Sequence, residues 1–324
     1  MGFLSSFSAS LPGALAQGLV WGIMAVGVFI TYKVLDVADL TVDGSICTGG
    51  AVCVVLIANG VSFQLALVAA FCAGLLAGTI TGLFHTACGI PVLLAGILTQ
   101  LALYSINLRI MGWGTTAGSK ANLPISVNKY NLLISARNVL ETNLANPIVI
   151  LLVFVAILVA ILYWFFGTEL GAALRATGSN AHMARAQGIN INFTKVLGLA
   201  ISNGIVALSG ALLAQYQGFA DINMGRGSIV IGLAAVIIGE VLLGKVFHNF
   251  ALKLLSAAIG AIIYYIVIQF VLRLGLSTDD LKLLSSLVVA VFLAVPYWKS
   301  RWAQAHVHKA PAEVSRVQKG GQNA

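Results

Sequence analysis

The chain has 324 residues, of which 59% are hydrophobic and 9% charged, with a formal net charge of +8. Soluble domains carry about 25% charged residues, so a mean hydropathy of +0.98 excludes an ordinary soluble enzyme or binding module. The basic residues are scattered rather than clustered. That argues against a nucleic-acid surface and for Lys and Arg holding loops on the cytoplasmic side of a lipid bilayer.

A chain of this length accommodates about nine spans of roughly 20 residues. Apolar runs predict them over 13–34, 44–59, 63–84, 90–111, 147–167, 195–217, 228–244, 251–273 and 283–298. The runs are too long and continuous for barrel strands, and only helices or closed barrels satisfy the backbone in lipid. No Lys or Arg precedes Lys33, so the first run lacks the basic region of a cleaved signal and is expected to remain as a span. The tail 299–324 carries Lys299, Arg301, Lys309, Arg316 and Lys319 against Glu313, which places the C-terminus in the cytoplasm. Cys47, Cys53, Cys72 and Cys88 have no CxxC spacing and are read as small hydrophobes, not as metal ligands or disulfides.

The first span ends in a polar segment, Ala38-Asp39-Leu40-Thr41-Val42-Asp43-Gly44-Ser45-Ile46. A second, Ala220-Asp221-Ile222-Asn223-Met224-Gly225-Arg226-Gly227-Ser228-Ile229, follows the sixth span with one residue inserted. Five spans separate these equivalents, so the second group of four runs opposite to the first. The chain is therefore expected to be an all-α integral membrane protein, an inverted repeat of four plus four helices around a central fifth. Transport pathways are commonly built on that plan.

Charges inside a membrane normally face a wet cavity, a partner or the interface. Residues 36–45 are accordingly read as an unwound link with Asp39, Thr41, Asp43 and Ser45 lining a polar pathway. An interfacial loop in which Asp43 or Ser45 caps the next helix is equally compatible. In the second copy, Asn223 is placed on the pathway and Ser228 is expected to cap the seventh span. Gln100, Tyr104 and Asn107 fall at steps of four and three along the fourth span, hence on one face. Gln100 and Asn107 join the pathway set. Gly74, Gly78 and Gly82 form a stripe for close helix packing, and Gly198, Ser202, Ser209 and Gly210 are read the same way. Between spans five and six, Thr168 and Ser179 are positioned to cap two short helices, stopped at Gly178 and Gly188. Arg175, His182, Met183 and Arg185 on them form a docking surface. No catalytic constellation is present in this pattern, and no cofactor site is expected in the chain itself.

From Ala25-Val26-Gly27-Val28 through Asp39–Ser45, the chain resembles the permease subunits of ribose-type and branched-chain amino acid-type ABC importers. Leu94–Thr99, Ala102–Gly112, Leu174–Asn180, Gly188-Ile189-Asn190 and Gly218–Gly225 narrow the resemblance to the branch linked to tryptophan and tyrosine. It extends over roughly residues 13–298, so that 1–298 forms one permease domain. The pattern departs at His85-Thr86-Ala87-Cys88-Gly89, where a basic residue and Asn are usual. The resemblance implies a type II-like importer fold in the bacterial inner membrane, paired as a homodimer. It also implies a cytoplasmic ABC ATPase dimer that carries the ATP and Mg²⁺, and an extracytoplasmic substrate-binding protein. Residues 168–190 would then be the coupling segment, with Arg175, Met183 and Arg185 as its contacts. The rival reading is an ion-coupled secondary transporter with Asp39 or Asp43 as relay.

Overall fold

The computed structural model describes residues 3–114, 116, 118–126, 129–130, 132–140, 146–244, 246–247, 249–273 and scattered positions between 283 and 298. The tail 299–324, and seven of the sixteen residues of the ninth predicted span, lie outside the described residues. The long helices are α1 (Phe3–Phe29, continued by a π-helical turn at Ile30–Val34), α2 (Thr41–Ala58), α3 (Phe63–Thr86), α4 (Val92–Met111) and α5 (Pro147–Gly167). After the short α6 (Glu169–Ser179) and α7 (Ala181–Ala186) come α8 (Ile191–Gln217), α9 (Ser228–Leu243) and α10 (Phe250–Arg273). Seven of these are long and apolar enough to cross a membrane, and α9, at 16 residues, is a shorter apolar helix. The first eight predicted spans thus each have a helix, α1 beginning ten residues ahead of its span, and the described positions of the ninth are helical.

Glycines decide which helices meet. Gly74 and Gly78 on α3 leave no room for a Cβ against the Asn203 and Leu199 carbonyls of α8, and Gly82 sits against the Val196 backbone. The predicted stripe is therefore the seam along which two backbones approach. Gly49 of α2 and Gly210 of α8 do the same for Ala207 and Ile46. Gly18 and Gly22 of α1 face Ile262 and Ala258 of α10.

These contacts obey an inverted repeat. The most extensive interfaces are α3 with α8 and α1 with α10, which exchange when each helix is replaced by its counterpart in the other half. The α1–α8 crossing maps onto itself. Ser202 Oγ donates to the Gly27 carbonyl at 2.8 Å and Ser209 Oγ donates to the Val20 carbonyl at 2.7 Å. The offset between the polar segments is 221 − 39 = 182, and 20 + 182 = 202 while 27 + 182 = 209. The two hydrogen bonds are therefore partners under the internal symmetry.

The segment between α4 and α5 is not wholly irregular. It contributes β1 (Asn122–Pro124), which pairs antiparallel with β2 (Phe219–Asp221), Asn122 opposite Asp221. The loop thereby holds down the start of the second polar segment.

Candidate functional site

The first break begins where α1 widens. The Leu35 amide donates to the Ile30 carbonyl and the Val37 amide to Thr31, bonds one and two residues longer than an α-helix allows. Asp36 then adopts φ 55°, a left-handed turn that Asp tolerates better than most side chains. Residues 36–40 run without helix until α2 starts at Thr41. The expected link of 36–45 is therefore shorter. Thr41, Asp43 and Ser45 lie in the opening turns of α2, because an Asx turn at Asp39 nucleates the helix early: Asp39 Oδ1 accepts from the Thr41 amide at 2.9 Å.

Asp39 is 1% exposed. Its Oδ2 accepts from Asn203 Nδ2 at 2.6 Å, and Asn203 Oδ1 accepts from Ser45 Oγ at 2.6 Å. Nearby, Thr41 and Thr81 share a hydroxyl hydrogen bond of 2.8 Å, and Thr81 Oγ1 lies 2.9 Å from Thr99. The depth of this network follows from α8, whose 27 residues run about 40 Å at about 1.5 Å per residue. Asn203 stands 203 − 191 = 12 residues into it, close to the middle. Every polar atom here must find a partner within the protein. Asp39, Thr41 and Ser45 do so. They hold α2, α3, α4 and α8 together.

The second break repeats the local chemistry. Asp221 Oδ1 accepts from the Asn223 amide at 2.7 Å, the same turn as Asp39 with Thr41, 182 residues on (39 + 182 = 221 and 41 + 182 = 223). Its Oδ2, however, accepts from Asn122 Nδ2 at 3.3 Å in the β-ribbon, and Asn223 is exposed. Gly225 is needed because the Asp43 carbonyl occupies the place of a Cβ, and Gly227 because its φ is 85°. At 16 residues, about 24 Å, α9 is too short to cross a hydrocarbon core of about 30 Å, and at its N-terminus Ser228 and Ile229 are buried.

That buried N-terminus is capped from the other half of the chain. Asp43 Oδ1 accepts from Ser228 Oγ at 2.7 Å and from the Ile229 amide at 2.9 Å, and Oδ2 accepts from the Gly227 amide at 2.9 Å. The expectation that Ser228 caps this helix is corrected. Its hydroxyl is a donor here, and a carboxylate satisfies the orphan amides and the helix dipole better than a hydroxyl. The two breaks are thus joined through Asp43 at the point where the first turns of α2 and α9 pass each other.

Between α2, α4 and the second break lies a cavity of about 130 Å³ whose polar wall is Asp43, Gln100, Tyr104, Asn107 and Arg226. Of the expected pathway residues, it gathers Asp43, Gln100 and Asn107, and the predicted common face of Gln100, Tyr104 and Asn107 is the wall. Asn223 lies outside it. Asn203, Thr81 and Thr99 were missed. An amide or hydroxyl in the middle of an apolar span was the available signal.

At the opposite pole, Thr168 Oγ1 accepts from the Gly171 amide at 3.4 Å and caps α6. Asn180, rather than the expected Ser179, caps α7 by accepting from the Met183 amide at 3.0 Å. Helix α6 runs one residue past Gly178, which is small because the Val34 carbonyl packs against it. Arg175, Met183 and Arg185 are all exposed, and the Arg175 guanidinium lies 5.7 Å above the Phe250 ring. Lys33 forms an ion pair of 2.6 Å with Glu240, linking the end of α1 to α9. At the unusual His85, Nδ1 lies 2.9 Å from the Ile90 carbonyl and Nε2 lies 3.1 Å from Lys195 Nζ, closing the turn into α4.

A family model described as the permease component of the branched-chain amino acid transport system matches residues 10–296. The tyrosine transport system permease protein of Clostridioides difficile (strain R20291) is 41% identical over 286 residues, 88% of this chain and 91% of its own length. An uncharacterized protein of Rickettsia prowazekii (strain Madrid E) is 36% identical over 87% of this chain and 95% of its own. The ribose import permease protein of Escherichia coli (strain K12) is 24% identical over 88% and 85%. The chain belongs to the family of branched-chain amino acid transport system permeases, and is a multi-pass ABC-type transport component rather than an enzyme.

Proposed function

We propose that this chain is the membrane-spanning subunit of an ATP-driven importer that passes an amino acid, aromatic in the first instance, by alternating access around the two breaks. The observation that carries the proposal is the joint at Asp43. Two helices that end inside the membrane, one from each inverted half, are tied through one carboxylate, so rocking one half against the other acts directly on this joint. The aromatic solute is supported by the likeness to a tyrosine transport permease. ATP and Mg²⁺ belong to a cytoplasmic ATPase pair docked on α6 and α7, where Met183 and Arg185 are exposed. An extracytoplasmic binding protein delivers solute at the β-ribbon end, a second copy of the chain completes the membrane domain, and the C-terminus lies in the cytoplasm of the inner membrane.

The ion-coupled alternative needs a carboxylate free to load and release a cation. Both oxygens of Asp39 and both of Asp43 accept hydrogen bonds from groups that hold helices in place. The two mechanisms separate in proteoliposomes carrying the chain with its ATPase and binding protein. Uptake of labelled tyrosine is expected to require ATP inside and to persist with an ionophore. Uptake that follows an ion gradient and ignores ATP overturns the proposal.

A further inference from the structure

We infer that the cavity beside Asp43 is a head-group site for a zwitterion, with Arg226 receiving the carboxylate and Asn107 the ammonium. The inference deepens the transport proposal and rests on it for the identity of the solute. It stands on three observations.

The first is an unpaired buried acceptor. Asn107 is 1% exposed, and its Oδ1 has no hydrogen-bond partner among the described residues. Its Nδ2 faces the Gly44 carbonyl at 3.5 Å, which turns the oxygen away from that carbonyl. A buried acceptor left unpaired is costly, so this oxygen is kept for a donor that arrives from elsewhere.

The second is charge. Arg226 and Asp43 share the cavity wall, but Asp43 already accepts three hydrogen bonds at the start of α9. Among the described residues no carboxylate lies within ion-pair distance of Arg226. Arg226 is exposed while lining the cavity, so its planar fork is open to a carboxylate arriving from outside. The neighbouring Asp43 disfavours a ligand with net negative charge, so an ammonium close to the carboxylate fits best. The N-terminus of α9 takes no part, because Asp43 has filled it.

The third is size. A volume of about 130 Å³ is well below the roughly 300–1,000 Å³ of sites that enclose whole ligands. It suits the shared head of an amino acid, with the variable side chain left outside, past Leu101 and the half-exposed ring of Tyr104. Such a site reads the class of solute and leaves finer selection elsewhere.

The test uses the full chain in nanodiscs, without a binding protein, and labelled L-tyrosine at millimolar concentration. Competition by tyramine, which lacks the carboxylate, and by 3-(4-hydroxyphenyl)propionate, which lacks the ammonium, is expected to be at least about tenfold weaker than by tyrosine. Arg226→Gln should abolish the tyrosine–tyramine difference and Arg226→Lys should restore part of it. Asn107→Asp, which keeps the shape and an acceptor oxygen, should preserve the tyrosine–propionate difference, while Asn107→Leu should erase it. Ribose competing as well as tyrosine, an unchanged ratio in Arg226→Gln, or no saturable binding each overturns the site. Such a failure alongside ATP-dependent uptake leaves the transport proposal standing, because the two measurements are independent.

Discussion

The two breaks share a sequence and a turn but not an environment. Asp39 with Thr41 and Asp221 with Asn223 make the same two-residue carboxylate-to-amide bond. Asp39 then reaches Asn203 in the dry centre, while Asp221 reaches Asn122 in a half-exposed ribbon. The positions that follow differ more sharply. With the inserted residue, Asp43 corresponds to Arg226 (43 + 183 = 226), so the repeat places opposite charges at equivalent points. An inverted repeat thus supplies two equivalent backbones and leaves the side chains to specialise, one as a pin between helices, the other as a wall of the cavity.

Substitutions across the two breaks test that division. Asp43→Ala should have the largest effect, because it strips three hydrogen bonds from an interior helix end. Hydrogen bonds to charged groups contribute about 1.5–3 kcal/mol each, non-additively, so a loss of about 3 kcal/mol or more is expected in mixed-micelle unfolding. Asp43→Asn, which keeps one acceptor oxygen, should lose visibly less. Equal losses would mean that charge and not capping is what matters.

Asp39→Ala follows, at about 2–3 kcal/mol, since it frees the Thr41 amide and one partner of Asn203 in a region without water. Its symmetry mate Asp221→Ala should cost about 1 kcal/mol or less, because water and the ribbon replace the bond. Matching losses in this pair would remove the distinction between a dry and a wet break. Arg185→Glu lies outside both breaks and should leave unfolding within about 0.5 kcal/mol of the parent, as exposed changes do. It should nevertheless separate ATP hydrolysis from solute uptake, and a variant transporting at the parent rate would remove α7 from the coupling surface.

Much of the architecture was legible because lipid forces it. Apolar runs had to be helices, and the Gly74–Gly78–Gly82 stripe could only mark a close seam. The repeated Ala-Asp motif announced the inverted halves, since so costly an interruption does not recur by chance at matching points. Local chemistry was less certain at the ends of elements. The capping places assigned to Ser179 and Ser228 went to Asn180 and Asp43, because several polar side chains stood near each start and only geometry selects one.

What the sequence by itself determined is the membrane class, the helices, the two polar breaks and the common face of Gln100, Tyr104 and Asn107. All of these are consequences of hydropathy and of period along one chain. Tertiary structure alone decided that Asp43 caps a helix 185 residues away (228 − 43 = 185), that Asn203 answers Asp39, and that Asn107 and Arg226 share a cavity. Those partners come from different halves, and no local pattern records which side chains meet once two inverted repeats interlock.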